Sequence, residues 1–243
     1  MTSLASEHRA QNYSRRYLSD VLQWDISTWK RALVHWDTVL AEWESSGRDL
    51  NDMKALDIGA RNGGLSLYLA MKGMQVICSD LGGPSEKARE LHQQYHVDDR
   101  VTYRDIDATA IPLESKSLDV VIFKSVLGGV AEYLGAPAIK TALAEIHRVL
   151  KPGGLLLYAE NQEATGFHQW ARRRFVSWGS TWYYVPHAEF AELLSPFAGF
   201  ETKTYGFFSC MKKDFLPTTL LDRIICLSKC SPSHYMAYGH ATK

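Results

Sequence analysis

An excess of charge of either sign is what this chain most conspicuously lacks. Its 243 residues carry 27 Lys and Arg against 27 Asp and Glu, a formal net charge of zero. No long basic run appears, so the electrostatic footprint of a nucleic-acid partner is missing, and a small molecule is the expected partner. Cysteine is scarce as well. The four residues, at positions 78, 210, 226 and 230, have neither paired C-x-x-C spacing nor a neighbouring histidine cluster, so no metal site and no disulfide framework is expected. Cys78 reads as a core residue and the rest as unassigned thiols. No apolar run is long enough to span a bilayer, and the opening MTSLASEHRAQ is too polar for a signal peptide, so the expectation is a cytoplasmic protein without a membrane partner. Internal repeats and low-complexity stretches are absent, and nothing in the pattern speaks to oligomeric state.

What is present concentrates in KALDIGARNGG, residues 54–64. A short apolar stretch runs into an acid, then into a glycine-rich turn, then into the helical pattern Leu65, Leu67, Tyr68, Leu69, Met71. Gly59 and Gly63 permit backbone angles and close approaches that a Cβ would forbid, so a ligand can lie against the main chain there. Asp57, at the strand end two residues before the first glycine, suits a ligand carrying a cationic group. Downstream, MQVICSD ends a second apolar run at Asp80, followed by Leu81. Val101 to Asp105 reads as a third strand, Ala108 to Pro112 as a turn, and Leu118 to Phe123 as a buried fourth strand. Ala138 to Leu150 has the period of an amphipathic helix, with Pro152 and Gly153 stopping it and launching a fifth strand over Leu155 to Ala159.

In their order, Asp57, Gly59, Gly63, Asp80 and the run EIHRVLKPGGLLLYAEN resemble the motifs of class I S-adenosylmethionine-dependent methyltransferases. The resemblance is specific over residues 54 to 161 and general outside them. It departs from the family at Arg61, where a glycine is usual, and that side chain is expected to point to solvent. The resemblance implies S-adenosylmethionine as cofactor, with its methionine end in the 57–63 loop and its ribose on Asp80 beside Leu81. It also implies the adenine between Asp107 and Ala108, with Asp105 as the competitor for that place. The fold so implied is α/β, a doubly wound seven-stranded sheet, mostly parallel with an antiparallel last strand. Phe200 to Phe208 and His234 to Ala241 are expected as its sixth and seventh strands. A helical N-terminal cap, residues 1–52, precedes a Rossmann-like domain over 53–243.

Acceptor and chemistry are read from segments flanking these motifs. Lys124 and Ser125 follow the fourth strand at the sheet's carboxyl edge, where ligands of open α/β sheets collect, so Lys124 is expected at cofactor or acceptor. Tyr13, Arg16, Tyr17 and Trp24 are expected to lie over the site as a lid, Tyr13 on the cofactor and Tyr17 on the acceptor. Trp29, Trp36 and Trp43, at helical spacing, read as packing. Asn161, His168, Arg172 and Trp178 complete the expected acceptor set, the arginines of HQWARRRF being the one hint of an anionic acceptor and the aromatics that follow offering a planar surface. Where the acceptor stays protonated near neutrality a base is needed, and His168, then Glu160, then Lys124 are its candidates. Glu160 and Asn161 read equally well as caps. The expected reaction is methyl transfer to oxygen or nitrogen of a small metabolite, anionic or aromatic in character. The alternatives are transfer to carbon, a catalytically silent cofactor-binding protein, or a nicotinamide oxidoreductase. The last is disfavoured because glycines at 59, 63 and 64 do not give G-x-G-x-x-G.

Overall fold

Strand β1 (Lys54–Ile58) sits at the centre of a seven-stranded sheet and lies buried along nearly its whole length. The computed structural model describes residues 13–24, 26–177, 179–209, 216–227 and 230–243; Trp178 and Cys210 lie outside the described residues. The remaining strands are β2 (Gln75–Asp80), β3 (Val101–Asp105), β4 (Leu118–Lys124), β5 (Leu150–Asn161), β6 (Gly199–Tyr205) and β7 (Met236–Thr242), in the spatial order β3-β2-β1-β4-β5-β7-β6. Neighbours from β3 through β5 pair parallel, whereas β7 runs antiparallel to both β5 and β6. The strand order therefore reverses between β1 and β4, and their carboxyl ends flank the crevice of a doubly wound sheet.

Nine helices are described: α1 (Arg15–Leu22), α2 (Ile26–Ser45), α3 (Gly64–Ala70), α4 (Glu86–Gln94), α5 (Leu127–Leu134), α6 (Pro137–Val149), α7 (Gly166–Phe175), α8 (Glu189–Leu193) and α9 (Leu216–Ile225). The inner strands alternate between two cores, as a sheet covered on both faces must. Ala55, Val120, Ile122, Leu155 and Leu157 face one core, built with α1, α2 and α3. Leu56, Val121, Phe123, Leu156 and Tyr158 face the other, built with α5, α6 and α8. The N-terminal helices thus have no core of their own. Trp29, Trp36 and Trp43 pack into the first, and the Trp36 indole N–H donates to the carbonyl of Gly239 at 3.0 Å, tying α2 to β7.

Several boundaries differ from the sequence reading. β6 stops at Tyr205 rather than running to Phe208, because Gly206 turns the chain at φ 90° with its Cα packed on the Tyr235 ring. β7 begins at Met236, two residues later than expected. The chain straightens at Leu150, so β5 takes in the KPGG segment, with a register irregularity against β4.

Candidate functional site

At the reversal of strand order the chain turns through Gly59, Ala60, Arg61, Asn62 and Gly63 into α3. Gly59 (φ 69°), Arg61 (φ 49°) and Gly63 (φ 75°) all take the left-handed conformation. A Cβ on Gly59 would stand 2.6 Å from the Val126 side chain, and one on Gly63 would stand 2.7 Å from the His92 ring. Both glycines are therefore required by angle and by space. Arg61 adopts its φ without that excuse, at a cost of order 1 kcal/mol. Its backbone N–H donates to Asp80 Oδ2 at 3.0 Å, which holds the strained residue in place.

Asp57 lies beneath this turn, 1 % exposed. The Ser66 hydroxyl donates to its Oδ2 at 2.7 Å, while Oδ1 is buried without a hydrogen-bond partner among the described residues. Desolvation pushes its carboxyl up to about 7, against the opposing hydrogen bonds from Ser66. A buried acceptor left unmatched costs about 1–3 kcal/mol. Together with Gly59, Arg61, Trp24 and Lys124, Asp57 lines a narrow cleft. A ligand bearing an ammonium or other donor group fits that cleft, because it would supply the missing partner.

The cleft's outer wall comes from the chain between α1 and α2. Trp24 carries the Lys124 ammonium 4.0 Å from its ring centroid and the Arg61 guanidinium at 5.4 Å, so the exposed Arg61 side chain lies along the wall. Lys124 also donates to the carbonyl of Leu22 at 2.6 Å, at the end of α1. α1 sits so close to α3 that Gly64 has the Val21 carbonyl oxygen where a side chain would be.

Further along the same edge, Asp80 accepts the N–H groups of Arg61 and Leu81 on separate oxygens, leaving each oxygen capacity for another donor. Leu81 is 68 % exposed. Asp107 accepts the amide and hydroxyl of Thr109 on Oδ1, an Asx turn at the end of the β3 connection, and Ala108 is buried behind it. Asp105 is held to the Gly82 amide.

A family model described as "Methyltransferase domain" matches residues 56–158, the segment holding most of β1 through β5 and the cleft-lining residues other than Val21, Gln23 and Trp24. Residues 56–158 are thus similar to a methyltransferase domain, and the sheet has the doubly wound order that the class I resemblance implies. A ubiquinone biosynthesis O-methyltransferase of Leptothrix cholodnii is 32 % identical over 133 residues, 54 % of each chain. A sarcosine/dimethylglycine N-methyltransferase of Aphanothece halophytica is 28 % identical over 160 residues, covering 63 % of this chain and 55 % of that one. This chain thus spans about half the length of the curated relatives it matches. Among solved structures, a putative sarcosine dimethylglycine methyltransferase from Galdieria sulphuraria superposes with a TM-score of 0.57 at 17 % identity, over 85 % of this chain and 84 % of that one. That likeness shows the fold.

Several side chains expected at the methyltransferase site lie elsewhere. His168 is 1 % exposed, with Nδ1 bonded to the Thr165 hydroxyl at 2.7 Å and Nε2 to the carbonyl oxygen of Phe207 at 2.8 Å. Both ring nitrogens are committed to protein and burial lowers its pKa, so it joins α7 to the end of β6 and does not reach the cleft as a base. Glu160 is fully buried and accepts the amides of Val126, Leu127 and Asn161 at 2.7–2.8 Å, with a further backbone bond from Gly128. It caps the N-terminus of α5, where a carboxylate is favoured, and it has no face turned to a substrate. Arg172 donates to the carbonyls of Gln162, Glu163 and Tyr235 and stacks 3.9 Å from the Tyr184 ring, so its guanidinium braces the fold rather than receiving an anion.

The lid residues are displaced too. Tyr13 donates to Asp37 and lines a second cavity with Leu40, Glu44 and Lys72, away from the cleft. Tyr17 is buried between Tyr13 and Tyr95. Asn161 stays near the edge, its amide donating to the Ser125 hydroxyl at 3.0 Å. Trp24, in contrast, is a member of the same expected lid set that does line the cleft. Its proximity to Lys124, a hundred residues away, has no local sequence signal; the Gly59–Gly63 motif could have pointed only to its own side of the cleft.

Proposed function

We propose that the protein is an S-adenosylmethionine-dependent methyltransferase that transfers a methyl group to oxygen or nitrogen of a small metabolite. The carrying observation is the buried, unpartnered Oδ1 of Asp57 beneath a left-handed glycine turn. An amino-acid ammonium group is the partner that such an oxygen lacks. In this reading Asp57 receives the ammonium of the cofactor and the Gly59–Gly63 backbone lies along its methionine end. Asp80 receives the ribose hydroxyls beside Leu81, and Ala108 with Asp107 borders the adenine. When bound, the cofactor would supply a methyl group on a sulfonium, and a nucleophile attacking that carbon in line would release S-adenosylhomocysteine as a neutral thioether.

The residues on the acceptor side align more than they activate. With His168 and Glu160 absorbed into the fold, Lys124 is the one member of the expected acid–base set that reaches the cleft. It and Arg61 present positive charge over the flat face of Trp24, which supports a planar or anionic acceptor. Positioning two reactants can supply about 7–11 kcal/mol of a barrier, so a site without a dedicated base is sufficient for a nucleophile that is already deprotonated or lone-pair-bearing. α1, seated on Gly64 and held by Lys124, acts as the lid that must lift for exchange.

Incubation with S-adenosylmethionine and a panel of phenolic, carboxylic and amino acceptors tests this reading. Formation of S-adenosylhomocysteine together with a methylated acceptor supports it. Cofactor binding without consumption in the presence of any acceptor or cell extract would leave a silent binding protein. Replacing Asp80 with Ala is expected to weaken S-adenosylhomocysteine binding by about 1–3 kcal/mol through lost charge-assisted bonds; unchanged affinity in calorimetry would remove Asp80 from the ribose site.

A further inference from the structure

On the far side of α2 from the cleft, three side chains with metal-ligating atoms converge. His35 projects from α2; His240 and Glu201 are direct cross-strand partners on β7 and β6. His35 Nε2 lies 3.1 Å from His240 Nδ1, and Glu201 Oε2 lies 3.9 Å and 4.0 Å from those two nitrogens. A point at the centre of that triangle is about 2.1 Å from all three atoms, the bond length of zinc to imidazole nitrogen and carboxylate oxygen. His35 is 7 % exposed and half-exposed Glu201 borders the solvent, so the cluster has a fixed floor and an open side.

We propose that His35, His240 and Glu201 bind one divalent transition cation of the zinc class, which pins α2 to the β6–β7 edge of the sheet. The set has two imidazoles and one carboxylate, the composition that borderline cations prefer over the oxygen-only sets of calcium and magnesium. A solvent molecule on the open side would supply a fourth ligand. Lys203 is the competing occupant: its ammonium lies 3.0 Å from His35 Nδ1 and 3.2 Å from Glu201 Oε1. Metal binding requires that ammonium to swing outward, after which His35 carries its proton on Nδ1 and turns Nε2 to the metal. The ligands are separated by up to 205 positions in the chain, so no spacing motif announces them, and cysteine content is silent on them.

Titrating the metal-stripped full-length chain with Zn²⁺ in a calorimeter, with thermal unfolding alongside, tests the site. One equivalent is expected to bind and to raise the unfolding temperature, because the ligands join elements that separate on unfolding. His240→Ala and Glu201→Gln, both at solvent-accessible positions, should each weaken binding by more than roughly tenfold, the scale of partner loss around a metal ligand. Lys203→Met should tighten it by at least roughly threefold, by removing a competing positive charge. His35 is buried and its replacement risks the fold, so these surface variants decide. Absence of saturable binding, or one-equivalent binding that survives both His240→Ala and Glu201→Gln, would overturn the proposal.

Discussion

Two carboxyl groups, Asp57 and Glu160, are completely buried, and burial pushes both up to about 7. Their partners separate them. Glu160 is surrounded by backbone amides, so its charge closes a helix end. Asp57 keeps one oxygen without a hydrogen-bond partner among the described residues, which is why it is proposed as a ligand-binding group. His168 belongs with Glu160. Replacing His168 with Ala strands the Phe207 carbonyl and should lower stability by about 1–3 kcal/mol in urea unfolding while leaving kcat of the folded enzyme unchanged. A fall in kcat larger than any fall in folded fraction would return His168 to the chemistry. At this scale, legibility followed locality. Asp57, Gly59 and Gly63 lie within one turn, and their roles are set by backbone geometry that a short motif encodes. One partner of each, Phe207 for His168 and Tyr235 for Arg172, lies 39 and 63 residues further on, so a histidine and an arginine near the fifth strand looked available when tertiary contacts had already used them.

Elements in the α/β half could be read because their periods and punctuation agree. β3 begins and ends where expected, since Val101 and Asp105 bound an unambiguous run, and α6 follows its apolar stripe closely. The N-terminal helices were harder. α2 shows its tryptophan stripe plainly, but α1 is short, and its importance lies in where it sits. Its last turn covers the glycine turn, and its C-terminal carbonyl holds Lys124. Gly64→Ala probes that seating. The added methyl group would overlap the Val21 carbonyl and force α1 outward, at about 1–3 kcal/mol of stability, with faster amide exchange in α1 than in α2. Unaltered stability and exchange would mean that α1 does not rest on the turn.

The whole molecule is organised by the reversal of strand order between β1 and β4. That one topological fact brings Asp57 and Lys124 to opposite sides of a crevice, with Trp24 delivered from the N-terminal helices. The crevice side of the sheet was legible, because strand-end acids and glycine turns mark it. Its outer wall was legible only as a set of lid candidates, since which of Tyr13, Arg16, Tyr17 and Trp24 lines it depends on long-range docking of α1 and α2. The β6–β7 edge, with its His35–His240–Glu201 cluster, was silent in the sequence for the same reason.

Asp57 also links the molecule's pH behaviour to its function. Its carboxyl is raised in the folded protein, so its contribution to stability is full below the ordinary carboxylate range near 4 and is lost as pH rises to about 7. A cationic ligand reverses the preference, because the ionised form binds it better. Calorimetric titration of S-adenosylhomocysteine from pH 5.5 to 8.5, on the native chain and on Asp57→Asn, is therefore the most direct measurement. The expected result is affinity that increases with pH and levels off above about 7, and an Asn variant that binds roughly tenfold or more weakly with that increase abolished. Tight binding by the Asn variant with an unchanged pH profile would contradict it.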